Sequence, residues 1–382
     1  MRHERQVELL KRLQGFDRRQ PAPVAPASMR NPAAAYTDPG RYQTERERLF
    51  RRRPVLVGLS GDLAAPGDYL TAEPGGVPIV VLRAQDGALR GFVNACRHRA
   101  APLLAGRGAG IQTIQCGYHA WTYDQDGALI ARPGTGSAFD DVPMRDCGLH
   151  RVQVAEAHGL VFARLAGDAA IDVDDALQGA QAELADYGLA GYCHFETRSQ
   201  VWNCNWKLIL DTFTEAYHIP WLHKDTIAPD FVFRHMINDR FGLNPRTIGL
   251  RKTVYAEFDK PAEADWTLLP HATIQYFILP NALLVHQLDH VQLWRVEPLA
   301  VDRTRVHTSL YAPTRPETEK TRNRWSRSLD ILLNVTGTED FPTMERIHAN
   351  LASGLVPEVV YGAMETGLID LHQCIDRMLA DG

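Results

Sequence analysis

A chain of 382 residues, 45% hydrophobic and 23% charged, is long enough for two domains with sizeable cores, and its formal net charge of −5 gives no reason to expect nucleic acid or an anionic membrane as partner. The opening MRHERQVELLKRLQGFDRRQ is charged throughout and lacks the apolar centre of a signal peptide, and no apolar run approaches the roughly 18 residues needed to cross a bilayer. A cytoplasmic protein with reduced thiols is expected, and its six cysteines, which show no disulfide-framework spacing, direct attention to metal binding.

A short N-terminal helix leads into Gln20 to Tyr42, which reads as an extended arm because Pro and Ala dominate it. From Pro54 to about Leu165, short apolar runs alternate with Gly, Pro and Asp-Gly turns, the pattern of a small antiparallel β domain. Asp172 to Tyr187 has helical spacing with acidic residues in its first turn. HFETRSQVW reads as a strand running into a helix that starts at NWK, and ATIQYFILPNALLVHQLDHVQLWRVEPL and RTRVHTSLYAP read as further strands. Helices are predicted from Arg315 to Leu333 and from Asp340 to Leu379. The result is an α+β chain in three parts: a helix and arm (1–53), a β domain (54–166) and a larger α+β domain (167–382).

Within the β domain, CRHRAAPLLAGRGAGIQTIQCGYHAW presents Cys96-x-His98 and Cys116-x-x-His119. Two thiolates and two imidazoles could serve zinc or an iron–sulfur cluster, but zinc sites usually pair Cys with Cys and His with His. One donor of each kind per loop suits a 2Fe-2S centre in which Cys96 and Cys116 hold one iron and His98 and His119 the other; replacing thiolates by neutral imidazoles raises the reduction potential. Gly117 would let the backbone approach a bridging sulfide.

A second constellation lies in NWKLILDTFTEAYHIPWLH. Glu215 and His218 are spaced to share a helix face, whereas His223 would point away on an unbroken helix, so Pro220 is expected to bend the chain and return it. Two histidines and a distant carboxylate make the facial triad of mononuclear non-haem iron(II), with open positions for dioxygen and substrate. Asp340 is the expected carboxylate, with Glu339 and Glu345 as rivals.

Together these stretches resemble the catalytic α subunit of the Rieske non-haem iron oxygenases, the aromatic ring-hydroxylating family. The resemblance runs over nearly the whole chain, from YTDPGRYQTERERLF through the Rieske stretch, Glu-x-Tyr-His-x4-His and ILPNALL to the Glu-Asp before the penultimate helix. It implies a Rieske domain inserted in a helix-grip (START-like) catalytic domain with an antiparallel sheet and a long C-terminal helix. It makes His218, His223 and Asp340 the iron ligands and Glu215 the carboxylate linking that iron to the cluster of a neighbouring subunit, through His119, in a head-to-tail homotrimer. Many members carry aspartate at the bridge position, so Glu215 marks a subfamily. Asp211, at a place where relatives often carry Asn near the iron, joins Glu215 as a catalytic candidate.

The implied activity is hydroxylation of a small aromatic or alkylamine-like substrate with O2, by monooxygenation or demethylation or by cis-dihydroxylation. Electrons would come from NAD(P)H through a reductase, a ferredoxin or both, since no Gly-x-Gly-x-x-Gly motif opens a helix here. A Rieske electron-transfer protein with a non-catalytic second domain is the alternative. His235, His271, His286 and His290, with Phe277, Leu279 and Leu284, are pocket-wall candidates; Cys204 is expected to be a buried small hydrophobe.

Overall fold

Turns at Gly and Asp-Gly cut the region after Arg53 into short strands. The computed structural model, which describes residues 1–18 and 24–381, lays Val55–Leu59, Leu160–Arg164, Arg151–Ala157, Leu89–Val93, Ile79–Arg83, Tyr69–Ala72 and Arg107–Gly108 side by side in that order. All pairings are antiparallel. A three-stranded sheet, Ile114–Gln115, Thr122–Tyr123 and Leu129–Ala131, closes against it over a core of Leu82, Phe92, Ile114, Trp121 and Tyr123 that also contains Cys96 and Cys116.

The second large sheet runs in the order Cys193–Trp202, Arg303–Ala312, His290–Ala300, Ala282–Gln287, Ala272–Ile278, Asn244–Arg251, Phe231–Phe241. From 231 to 312 it is a meander of antiparallel neighbours, joined by short turns except at 252–271, where a series of short helices connects Asn244–Arg251 to Ala272–Ile278. Alternation sends Ile248, Ile274, Leu284, Val291 and Leu293 to one face, where they pack on Leu9, Leu10 and Leu13 of helix His3–Arg18 and on Leu56 and Phe162 of the first sheet. Phe277, Leu283, Val285, Trp294 and Leu310 point the other way, against helices Trp206–Asp211, Glu319–Val335, Phe341–Ala352 and Thr366–Ala380. Asn281 fastens the two large sheets, accepting from Leu56 N–H at 3.0 Å and donating to Leu56 C=O at 2.9 Å.

Several predicted elements differ in their boundaries. The helix expected over 172–187 breaks after Leu177, where Gln178 is left-handed (φ 51°). The helix expected over 340–379 stops at Ala352, and strand Glu358–Tyr361 intervenes, pairing antiparallel with Met29–Pro32. That partner strand belongs to the arm, which continues as helices Ala34–Thr37 and Pro39–Glu45; residues 20–23 of the arm lie outside the described residues. Among the described residues no helix is long and apolar enough to cross a membrane.

Candidate metal centres and substrate cavity

The two Cys/His loops are built alike. Cys96 C=O accepts from Ala100 N–H at 2.8 Å and Cys116 C=O from Ala120 N–H at 2.9 Å; each cysteine N–H donates one residue further on, to Ala101 and Trp121. Ala100 and Ala120 both take a left-handed φ, 56° and 55°, a conformation that costs alanine about 1 kcal/mol or more. The two loops bring the His98 and His119 rings to 4.6 Å, and Trp121 stacks on His98 at 4.9 Å.

His98 Nδ1 is buried without a hydrogen-bond partner, a deficit that a metal would remove. Cys96 Sγ lies 3.2 Å from the Tyr123 hydroxyl, whose oxygen accepts from Arg97 N–H at 2.9 Å and whose proton is therefore free to point at sulfur. Among the described residues, the group of three or more donors tight enough for a single ion is elsewhere in the chain, so the quartet suits a two-iron cluster better than one zinc.

That tight group is His218, His223 and Asp340, with one donor atom from each lying within 4.8 Å of the others. Asp340 Oδ1 is 3.6 Å from His218 Nε2 and 3.2 Å from His223 Nε2. Both remaining ring nitrogens are held by carboxylates: Nδ1 of His218 donates to Glu215 and Nδ1 of His223 to Glu339 Oε2 at 2.5 Å. This fixes which nitrogens face inward. Thr212 Oγ1 donates to Asp340 Oδ1 at 2.8 Å. Burial opposes a charged His223, yet Asp340 and Glu339 together raise its pKa above the ordinary value, so the site favours positive charge and fits a cation.

The local chain path explains the aim. Asn205 caps helix Trp206–Asp211 by accepting from Lys207 N–H, and that helix ends before Thr212. Glu215 and His218 therefore do not share a helix, contrary to the sequence reading: Glu215 sits in a turn and accepts from the backbone N–H groups of Tyr217 and His218. Pro220 starts the short helix Ile219–Leu222 instead of bending one, and His218 and His223 flank its two ends. Asp340 closes a wide π-helical turn, Thr336–Asp340, in which Phe341 N–H reaches back to Thr336 C=O. Such turns push one side chain out of helical register.

These groups open into a cavity of about 500 Å³ whose walls include Phe213, Val232, Val285, Trp294, Leu332 and Val335. Glu215 and Ala216 line both this cavity and an outer depression bordered by Tyr217, Trp221 and Met364. Asp211 is the exception among the predicted site residues. Its carboxylate does not line the cavity; it is buried between Tyr36 O–H at 2.6 Å and His372 Nε2 at 3.0 Å, apart from the group formed by His218, His223 and Asp340. Glu345 accepts from Asn203, away from the centre. Phe277, Leu279 and Leu284 belong to the core, and His271, His286 and His290 lie off the cavity wall; the His235 side chain is outside the described residues. The wall instead takes Gln275, Gln287, Gln292 and Arg251, polar residues that carry no motif in the sequence.

Residues 174–381 match the family described as ring hydroxylating alpha subunit (catalytic domain), and residues 53–154 match the Rieske [2Fe-2S] domain. The chain belongs to the ring-hydroxylating α-subunit family. It is 36% identical over 193 residues to the carnitine monooxygenase oxygenase subunit of Escherichia coli, covering 49% of this chain and 50% of that protein. It is 32% identical over 197 residues to the glycine betaine monooxygenase oxygenase subunit of Chromohalobacter salexigens (51% and 43%), and 34% over 188 residues to the chlorobenzene dioxygenase subunit alpha of a Cupriavidus species (48% and 42%). The matched stretch thus spans about half the length of these curated relatives. A solved quaternary ammonium Rieske monooxygenase in complex with L-carnitine shares the fold, with TM-score 0.78 over 92% of this chain and 96% of that one at 22% identity. Naphthalene 1,2-dioxygenase with indole bound is similar in fold too, with TM-score 0.72 and 18% identity over 96% and 95%. Family membership brings a Rieske 2Fe-2S cluster and a mononuclear iron as cofactors.

Proposed function

We propose that the chain is a terminal oxygenase that uses O2 and electrons from a separate reductase or ferredoxin to hydroxylate a small organic substrate, by monooxygenation or demethylation or by cis-dihydroxylation. The observation that carries this reading is the convergence of His218, His223 and Asp340 at the wall of a mostly apolar cavity. In it, Cys96, His98, Cys116 and His119 hold the 2Fe-2S cluster within a 54–166 unit, and His218, His223 and Asp340 hold iron within a 167–382 unit. When bound, the iron activates dioxygen with electrons relayed by the cluster.

The protein's own residues do the rest. Phe213, Val285, Trp294, Leu332 and Val335 exclude water and hold the substrate's apolar surface. Glu215 and Glu339 fix the two imidazoles so that both Nε2 atoms face inward. Relatives that act as carnitine or glycine betaine monooxygenase subunits and one that serves a chlorobenzene dioxygenase support both substrate classes, alkylamine and arene.

Glu215 borders the cavity on one side and the outer depression on the other, where Trp221 is 73% exposed. His119 and Tyr118 are exposed at the cluster tip. A head-to-tail homotrimer that seats one subunit's tip in the next subunit's depression would put Glu215 between the two centres. The six free cysteines fit a cytoplasmic setting.

The test is iron and acid-labile sulfide per chain in the anaerobically purified protein. About three irons and two sulfides are expected, with one iron lost and sulfide kept in His218→Ala and in Asp340→Ala. About two irons in all three proteins would move the chain to the electron carriers.

A further inference from the structure

Arg246 faces Glu183 and Asp239, Arg107 faces Asp62, and the buried Arg295 stands 4.0 Å from Glu297 with its Nε left without a hydrogen bond. Arg251 departs from that pattern. It ends strand Asn244–Arg251 in the wall of the substrate cavity, and among the described residues its guanidinium has no hydrogen-bond or ion-pair partner; it lies over the Phe231 ring, 5.1 Å from the centroid. Leaving five N–H donors of a partly buried cation unpaired is costly, and such a group is retained where a ligand completes it. Burial lowers the Arg251 pKa from its ordinary value, against the weaker pull of Asp230.

The surroundings give the ligand's orientation. Thr247, Gly249 and Arg251 alternate onto the cavity face of one strand. Thr247 Oγ1 reaches Phe213 C=O at 3.4 Å, beside the segment that carries Thr212 and Glu215, and Arg251, four residues on, stands roughly 13 Å further along the strand from that point. A Cβ added at Gly249 would meet nothing within 4 Å, which leaves the space between open. Thr273, directly across from Gly249, has a buried Oγ1 without a partner, and Gln287 follows in the same row. At this end of the cavity Lys252 is occupied, donating to Pro229 C=O at 2.6 Å, and Asp230 is exposed. The free cationic fork therefore belongs to Arg251.

We propose that Arg251 anchors a substrate carboxylate, and hence that the cavity takes small monocarboxylic acids whose apolar or alkylammonium end lies toward His218, His223 and Asp340. The inference rests on the oxygenase reading for its second half only. A planar guanidinium receives both oxygens of a carboxylate, and Thr273 Oγ1 can supply a further donor. The apolar walls then hold the body of the acid with its distal carbon at the iron end.

The experiment is calorimetric titration of the metal-loaded full chain with matched probes: para-methoxybenzoate against para-methoxybenzamide, and γ-butyrobetaine against its carboxamide. At least one carboxylate should bind about tenfold or more tightly than its amide. Arg251→Gln should abolish that preference, and Arg251→Lys should keep part of it, with the cluster's visible spectrum confirming that each variant is folded. His218→Ala should retain the preference, so failure of the oxygenase reading would not disturb this result. Equal affinity for acid and amide, no binding of either acid at millimolar concentration, or a preference that survives in Arg251→Gln overturns the proposal. A preference lost in His218→Ala but kept in Arg251→Gln also overturns it, by placing the carboxylate on the iron.

Discussion

Glu339 and His223 form a hydrogen bond of 2.5 Å that turns the other face of the imidazole to Asp340, 3.2 Å from its Nε2. Glu339 also accepts from Thr226 Oγ1 at 2.9 Å, so the carboxylate is itself held in place. Outer partners of this kind set ring orientation and basicity, and their loss typically lowers metal affinity about 10–100-fold. Glu339→Ala should therefore lose iron to a chelator far more readily than the parent, with labile sulfide unchanged and with a smaller defect in Glu339→Gln. Equal iron retention in parent and Glu339→Ala would remove Glu339 from the site.

The Tyr123 hydroxyl, 3.2 Å from Cys96 Sγ, should tune the cluster. A hydrogen bond to a cluster sulfur favours the reduced, more negative state and raises the potential. Tyr123→Phe should lower the midpoint potential, by about 59 mV for each 1.4 kcal/mol of lost preference. Redox titration of the visible spectrum reads this directly. A potential that stays put would mean that the hydroxyl proton does not point at sulfur.

The sequence was most legible where chemistry is local. Cys96/His98 and Cys116/His119 each lie within one short loop, so spacing alone identified residues that the structure brings together. His218 and His223 were legible for the same reason, although Pro220 turned out to begin a helix between them. Asp211 was not, because its partners Tyr36 and His372 lie 175 and 161 positions away and leave no local trace. The strand Glu358–Tyr361 was missed likewise: its helical surroundings are local, but its partner Met29–Pro32 is in the arm. Arg251 carries no motif in the sequence, and its want of a hydrogen-bond or ion-pair partner among the described residues is visible only in the folded chain.

Glu45 and Lys207 tie the arm to the helix that precedes the iron ligands. Lys207 Nζ donates to both Glu45 oxygens, at 2.7 and 2.8 Å, and Trp206 Nε1 donates to Glu45 Oε2 at 2.9 Å, all of it buried. Burial pulls the Lys207 pKa down to about 8, with Glu45 opposing. Removing one partner leaves a buried charge unpaired, at a cost of about 3–5 kcal/mol. Glu45→Gln should unfold at clearly lower urea concentration at neutral pH, and adding Lys207→Met should recover part of the loss. No shift in the midpoint would show that water or another group replaces Glu45.

Stability on the acid side should depend on His286, far from either metal centre in role. Its ring stacks on Tyr187 at 4.5 Å with Nδ1 buried and unpartnered, and burial, followed by the charges of the Met1 amino group and His290, lowers its pKa from 6.5 to about 4. The folded state therefore resists a proton that the unfolded chain accepts. Stability is fully present above pH 6.5 and is lost as pH falls toward 4, by up to about 3 kcal/mol for this shift. His286→Phe keeps the stack and removes the titration, so its urea midpoint should fall less than the parent's between pH 7 and pH 4.5. Part of the dependence should remain, because burial and Arg107 also lower His194 to about 4. Identical pH profiles for parent and His286→Phe would mean that His286 takes up its proton in the folded state, with a partner that the stack on Tyr187 leaves room for.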